Sequence, residues 1–275
     1  MSEFLAALGD HAFLQRALAG GLLASIGCGV MGTYVVVQRI SLLAGGIAHA
    51  VLGGMGVAYF LGGAPLTGAL IAAVIAALII GVVKLRLRER EDTVIAAIWA
   101  VGMAVGIVFI TKTPGYNADL MGYLFGNILM ISTRDLWTIA ILDAAILVLV
   151  GLFYRQFLAV CFDAEFARVR GVRVDRYYLL LLVLVALTVV MLIQVVGLIL
   201  VIALMTLPAA IASRFFSSLS AIMLAAVGLG ALFTMGGLAL SYGPDLATGP
   251  VIILLAGGTY LLTAAIRGLG RQSGH

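Results

Sequence analysis

Charge is what this chain has least of. Its 275 residues hold twelve Asp and Glu and sixteen Lys and Arg, so 10% are charged while 64% are hydrophobic. A soluble domain is nearer ~25% charged and ~45–50% apolar, so a water-soluble globule is excluded. Cysteine is also scarce: Cys28 and Cys161 stand far apart with no CxxC spacing, which implies neither a disulfide nor a zinc framework. No GxxxxGK[ST] occurs, so the chain cannot itself hold ATP in a P-loop, and no HExxH or serine motif supports an intramembrane enzyme. The first residues, MSEFLAALGDHAFL, carry Glu3 and Asp10 in place of a basic stretch, so no cleaved signal peptide is expected. The pI near 9.3 is not a nucleic-acid signal, because the basic residues fall in short loops between apolar runs.

What remains is long apolar runs rich in Leu, Ala, Val and Gly, which are helical rather than barrel strands. The expected fold is all-α: a polytopic transmembrane helix bundle forming a single domain over 1–275. It has eight or nine spans plus a short re-entrant or interfacial segment near 118–131. Residues 1–15 suit a segment on the membrane surface. Spans follow at about 17–37, 39–61, 66–83, 94–111 and 133–154. Residues 177–213 carry no charge and are too long for one span. Gln194 to Gly197 is the expected turn, and Pro208 is expected to break the second half. The last spans cover about 219–241 and 250–266. Residues 84–92, KLRLRERED, read as a solvated loop, with Asp92-Thr93 capping the next helix. Ser132 and Asp135 form a helix start. In the longest polar loop, 155–176, Asp163 caps a short helix that Gly171 closes. Placing Arg39, Arg214, loops 84–92 and 155–176 and the C-terminus on one side gathers thirteen of the sixteen Lys and Arg there. By the positive-inside rule that side is cytoplasmic.

Two ionisable residues lie well inside the expected spans, His49 and Asp143. His49 is ten residues past Arg39, roughly 15 Å along a helix and so near the middle of a roughly 30 Å hydrocarbon core. Gly45, Gly53 and Gly56 share its helical face. Two readings stand: the glycines let helices pack and the imidazole bonds a neighbour, or the histidine faces a path. Asp143 lies roughly 13–18 Å from Arg134 and from Arg155, again near the midplane. A charge there costs at least ~2.5–3.5 kcal/mol, which a partner, a wet cavity or a bound cation must offset. Imidazole and carboxylate together suit Zn, Mn or Fe(II), and two ligands suit a passing ion better than a closed structural site. Asp119, beside the short segment, is a candidate entrance for the cation. Asp143 and Asp119 also have plain structural readings, as a buried partner and a solvated turn.

Four blocks then carry a resemblance: GTYVVVQRISLLAGGIAHAVLGGMGVAYFLG (32–62), DTVIAAIWAVGMAVGIVFI with DLMGYLFGNIL, FDAEFARVRGVRVD, and VGLILVIALMTLPAAIASRF with SYGPDLATGP. Together they resemble the metal-uptake permeases of ATP-binding-cassette importers, the zinc/manganese/iron group, over nearly all of 13–266. The resemblance implies a permease of the prokaryotic cytoplasmic membrane that homodimerises in the lipid bilayer and pairs with a cytoplasmic ATP-binding subunit. It implies delivery of the ion by an extracytoplasmic metal-binding protein. No tightly bound cofactor is expected, only the transported divalent metal, and no nucleic acid. FDAEFARVRGV is similar to the coupling helix, which places Glu165, Phe166, Arg168, Val169 and Gly171 against the ATPase. One position departs: many members of the group carry an acid four residues before the histidine, where this chain has Gly45. Asp143 is then the candidate replacement, or the branch handles another ion or a chelate. Two alternatives stand beside this one: a permease for a metal chelate such as cobalamin or a siderophore, and an ATP-independent metal-ion transporter. The latter would not need the coupling loop.

Overall fold

The computed structural model describes residues 7–87, 90–113, 126, 128–244 and 246–272. The helices are α1 (Ala12–Val37), α2 (Ser41–Phe60), α3 (Pro65–Val82), α4 (Glu91–Lys112), α5 (Thr133–Leu152), α6 (Tyr154–Phe162), α7 (Ala164–Val169), α8 (Val174–Val196), α9 (Leu198–Ala212), α10 (Leu219–Tyr242) and α11 (Thr248–Gln272). Among the described residues eight helices are long and apolar enough to cross a membrane, and α9 is a shorter apolar helix of 15 residues.

Several boundaries differ from expectation for local reasons. Residues 7–10 are already helical, and α1 starts at Ala12 rather than near 17. α3 does not stop at the charge cluster, because Val83–Leu87 continues as a π-helical turn. α4 begins behind Arg90 with no side-chain cap. Asp92 therefore sits in the first turn, where a carboxylate complements the helix dipole, instead of capping it. The polar loop holds two helices, α6 and α7, rather than one. The short segment at 118–131 lies mostly outside the described residues, and its described end is a 3₁₀ turn, Ile128–Met130. The expected box at α5 is present: Ser132 Oγ accepts from Asp135 N, and Ser132 N donates to Asp135 at 3.0 Å.

The uncharged 177–213 run divides at Gly197, whose φ of 84° is a conformation a side chain resists. The chain reverses there. Thr188 faces Gly27 of α1 and Met205 faces Gly32. A straight helix would separate Thr188 and Met205 by about 26 Å, whereas Gly27 and Gly32 lie about 7.5 Å apart on their helix. Pro208 does not break α9, which runs through it to Ala212. A proline removes one hydrogen bond, and α9 ends a turn later in any case.

The helices form two groups. α2 lies between α3 and α4. α1 is the axis of the other group, packed against α10, α9, α5 and α8, and α8 bridges to α3 and α2. Glycine makes both groups possible. A Cβ on Gly53 would sit 2.7 Å from the Gly102 carbonyl, and one on Gly56 2.8 Å from that of Gly106. Gly54 and Gly68 face each other's backbone in the same way across α2 and α3. On α1, a Cβ at Gly29 would lie 2.7 Å from Val227 N.

Substituting Gly54 or Gly68 by alanine should therefore lower thermal stability, by about 1–3 kcal/mol for overpacking a filled contact. Gly257, with nothing within 4 Å of an added Cβ, should accept alanine with an unchanged melting temperature. Thermal unfolding in detergent checks both, and equal effects at the two kinds of position would refute the packing argument.

Candidate functional site

His49 is carried by α2 at its contact with α4. Its Nδ1 lies 2.7 Å from the Gly45 carbonyl, one turn back. A carbonyl only accepts, so Nδ1 carries the hydrogen, and the neutral ring keeps its lone pair on Nε2. The imidazole stacks on Trp99 of α4, ring centroids 4.2 Å apart and 23° from parallel. Trp99 Nε1 in turn donates to Met103 Sδ at 3.2 Å. His49 is half-buried and Trp99 is 37% exposed, so the pair lies at an open face of the single chain. The residue four positions before His49 is Gly45, and its carbonyl is what orients the ring. Gly53 and Gly56 do not continue an open strip beside His49, because α4 covers them.

Trp99 is the residue that sequence reading missed. The available signal was a tryptophan in the middle of an apolar run, IAAIWAVGM, with Met103 one turn on.

Asp143 lies elsewhere. It is on α5, 3% exposed, and its Oδ1 would be 2.6 Å from a Cβ on Gly27 of α1, with the Thr188 methyl beside it. Neither carboxylate oxygen has a hydrogen-bond partner among the described residues. His49 and Asp143 are thus not hydrogen-bonded to each other, and no cluster of three or more His, Cys, Asp and Glu occurs among the described residues. Asp119 lies outside the described residues. Cys161, on α6, is no candidate ligand: burial pushes its thiol up to about 11, against the lowering effect of a hydrogen bond with Gln38, so it stays protonated at neutral pH.

At the basic end of the bundle, α7 is closed at both ends. Asp163 Oδ1 accepts from Phe166 N at 2.9 Å. Gly171, at φ 80°, ends the helix with Gly171 N donating to Arg168 O and Val172 N to Ala167 O, both at 3.0 Å. That pair of bonds is the Schellman pattern. Ala167 is buried, which turns Phe166 (53% exposed) and Val169 (88% exposed) outward. Arg168 pairs with Asp175 at 2.6 Å, and Arg170 lies 4.8 Å over the Phe166 ring. Glu165 is exposed in the first turn.

Long apolar helices packed through glycine, with one oriented imidazole among them and a short capped helix at one end, define a multi-pass membrane protein. The chain belongs to the ABC 3 transport family, which it matches over residues 10–267. It is 42% identical over 273 residues to the probable metal transport system membrane protein of Chlamydia pneumoniae, covering 97% of this chain and 88% of that one. It is 35% identical over 262 residues to the manganese transport system membrane protein MntC of Halalkalibacterium halodurans, covering 95% and 90%. The solved structure of PsaBC from Streptococcus pneumoniae in complex with Fab is 33% identical with a TM-score of 0.84, over 95% of this chain and 94% of that one. The resemblance carried by the four sequence blocks is borne out. The chain is a transport permease of the bacterial inner membrane.

The crowding at Gly27 sets up a test of the Asp143 geometry. Gly27→Ala should destabilise the wild type by forcing the carboxylate to move, and should cost less in an Asp143→Ala background. The double-mutant cycle should show coupling of about 0.5–3 kcal/mol, as touching residues do. Additive effects on the melting temperature would mean the two groups do not meet.

Proposed function

We propose that this chain is the permease subunit of an ATP-driven importer for a divalent transition metal, zinc, manganese or iron. A separate cytoplasmic ATP-binding subunit supplies the energy, and an extracytoplasmic metal-binding protein delivers the ion. The observation that carries the proposal is α7: a six-residue helix, capped at both ends, that turns two apolar side chains outward from the basic end of the bundle. Exposed apolar groups on a rigid knob mark a protein contact, and a channel that opens without ATP needs no such contact. In this reading Phe166 and Val169 seat in the ATPase, Glu165 and Arg168 lie at the rim, and Gly171 holds the helix at a fixed angle.

His49 lines the ion path. Its Nε2 lone pair is the available donor, and the open α2–α4 face is covered in the membrane by a second copy of the permease, which closes the path between the two subunits. Asp119 stands at the entrance. Asp143 is a second polar station within the bundle, set between α1, α5 and α8, where a proton or cation offsets its charge while it is buried. ATP binding draws the two ATPases together, α7 transmits the movement, and the path opens to one side at a time. The names of the relatives favour manganese within the group, and coordination number and geometry at the path decide among the three ions.

Reconstituted with its ATPase and binding protein, the wild type should import metal. His49→Ala should lose most of that import while the complex stays assembled. Val169→Asp should lose metal-stimulated ATP hydrolysis by weakening the docking. Uptake titrated with Zn, Mn and Fe(II) reads the selectivity. Normal uptake by His49→Ala would remove His49 from the path, and full hydrolysis by Val169→Asp would remove α7 from the contact.

A further inference from the structure

Beside α7 the surface folds inward. A cavity of about 520 Å³ opens between α6, the α7–α8 turn and the first turns of α8. Arg170, Arg173 and Arg176 all line it. Arg170 also lies over the Phe166 ring at 4.8 Å; among the described residues the acid on this turn, Asp175, pairs with Arg168, and neither Arg173 nor Arg176 has an ion-pair partner. Three guanidinium groups around one concavity concentrate positive potential, and each presents a fork of donors that matches phosphate oxygens. Gln156 of α6 also lines it, and a side-chain amide carries N–H donors of the kind an anion accepts from.

The remaining wall is apolar. Phe153, Tyr177 and Leu180 continue the cavity along α6 and α8, toward the membrane-spanning part of α8. A basic mouth at the end of the spans with an apolar wall leading toward the bilayer fits a phosphate carried on an acyl chain better than a free one.

The geometry points to a binding site for a phosphate monoester or diester, the headgroup of an anionic phospholipid, held by Arg170, Arg173, Arg176 and Gln156. The site bears on coupling, and this consequence rests on the role proposed for α7. Arg170 and Gly171 are at once the wall of the cavity and the closing turn of α7, and Arg170 also covers Phe166. A bound headgroup offsets part of the positive charge of the three arginines and fixes the root of that helix, so an anionic lipid should favour productive docking of the ATPase.

The test separates binding from coupling. The purified full-length chain is delipidated, offered phosphatidylglycerol or phosphatidylcholine at equal concentration, and weighed by native mass spectrometry. Wild type should retain phosphatidylglycerol several-fold over phosphatidylcholine. Arg173→Gln with Arg176→Gln should abolish the preference without changing the melting temperature. Arg86→Gln with Arg90→Gln removes the same charge outside the cavity and should keep it. A parallel arm adds inorganic phosphate. If phosphate alone raises the melting temperature of wild type but not of the cavity variant, and phosphatidylglycerol adds nothing, the anion is a free phosphate in the same site. Equal lipid retention by wild type and the cavity variant, or equal losses in the two double variants, overturns the site. Because the readout is mass, a failure of the ATPase-docking reading leaves the binding result intact. That failure would appear only as metal-stimulated hydrolysis indifferent to phosphatidylglycerol in the reconstituted complex.

Discussion

Backbone has to meet backbone for this bundle to hold. Lipid tails are as apolar as the side chains they would replace, so burial alone gives helices little reason to associate in a bilayer, and close packing must supply the attraction. Here the closest approaches are at Gly53–Gly102, Gly56–Gly106 and Gly54–Gly68, and along α1 at Gly29 and Gly32. These contacts set which helices are neighbours. They also decide where the polar groups go: the approach of α4 to α2 brings the Trp99 indole onto the His49 ring, and Gly27 leaves the room that the Asp143 carboxylate occupies.

The same dry environment governs the polar side chains. Most buried hydroxyls are satisfied within their own helix, as Thr33 is by the Gly29 carbonyl, Thr188 by Leu184 and Thr234 by Gly230. A hydroxyl can fold back one turn to a carbonyl, so it costs the bundle little. A carboxylate only accepts when ionised, and helix carbonyls offer it nothing. That asymmetry is why Asp143, alone among these groups in being able to carry a charge, has no hydrogen-bond partner among the described residues. His49 has both a donor and an acceptor nitrogen, so one carbonyl satisfies half of it and leaves the other half for chemistry.

The basic end is built on a different principle. There water is available, and rigidity comes from caps and turns. Asp163 and Gly171 hold α7 as a short stiff unit, Gln38 ties the end of α1 to Val160 of α6 at 3.2 Å, and Lys84 reaches over Tyr178 at 4.5 Å. α6 is thereby fastened to α1, and α7 packs against α6 and α8.

Much of this could be read directly from residues. Apolar run length gave the spans, because a helix must be about 20 residues long to cross hydrocarbon. Local chemistry gave the Ser132–Asp135 box, the Asp163 cap, the Gly171 stop and the reversal near Gly197, because each is decided within a few residues. The errors came where neighbours outside the local stretch decide. The glycines beside His49 allowed either helix packing or an open path, and α4 packs on Gly53 and Gly56. Pro208 looked like a break and is absorbed near a helix end. His49 and Asp143 looked like a pair because both are polar at similar depth, but depth along a helix says nothing about which way two different helices face. What the sequence by itself determined was the membrane class, a count of eight or nine spans with their rough limits, and the caps at Ser132, Asp163 and Gly171, since hydrophobic length and turn chemistry are local. Only the tertiary structure decided that Trp99 stacks on His49 and that Asp143 is lodged against Gly27, since those depend on the rotation and approach of helices distant in the chain.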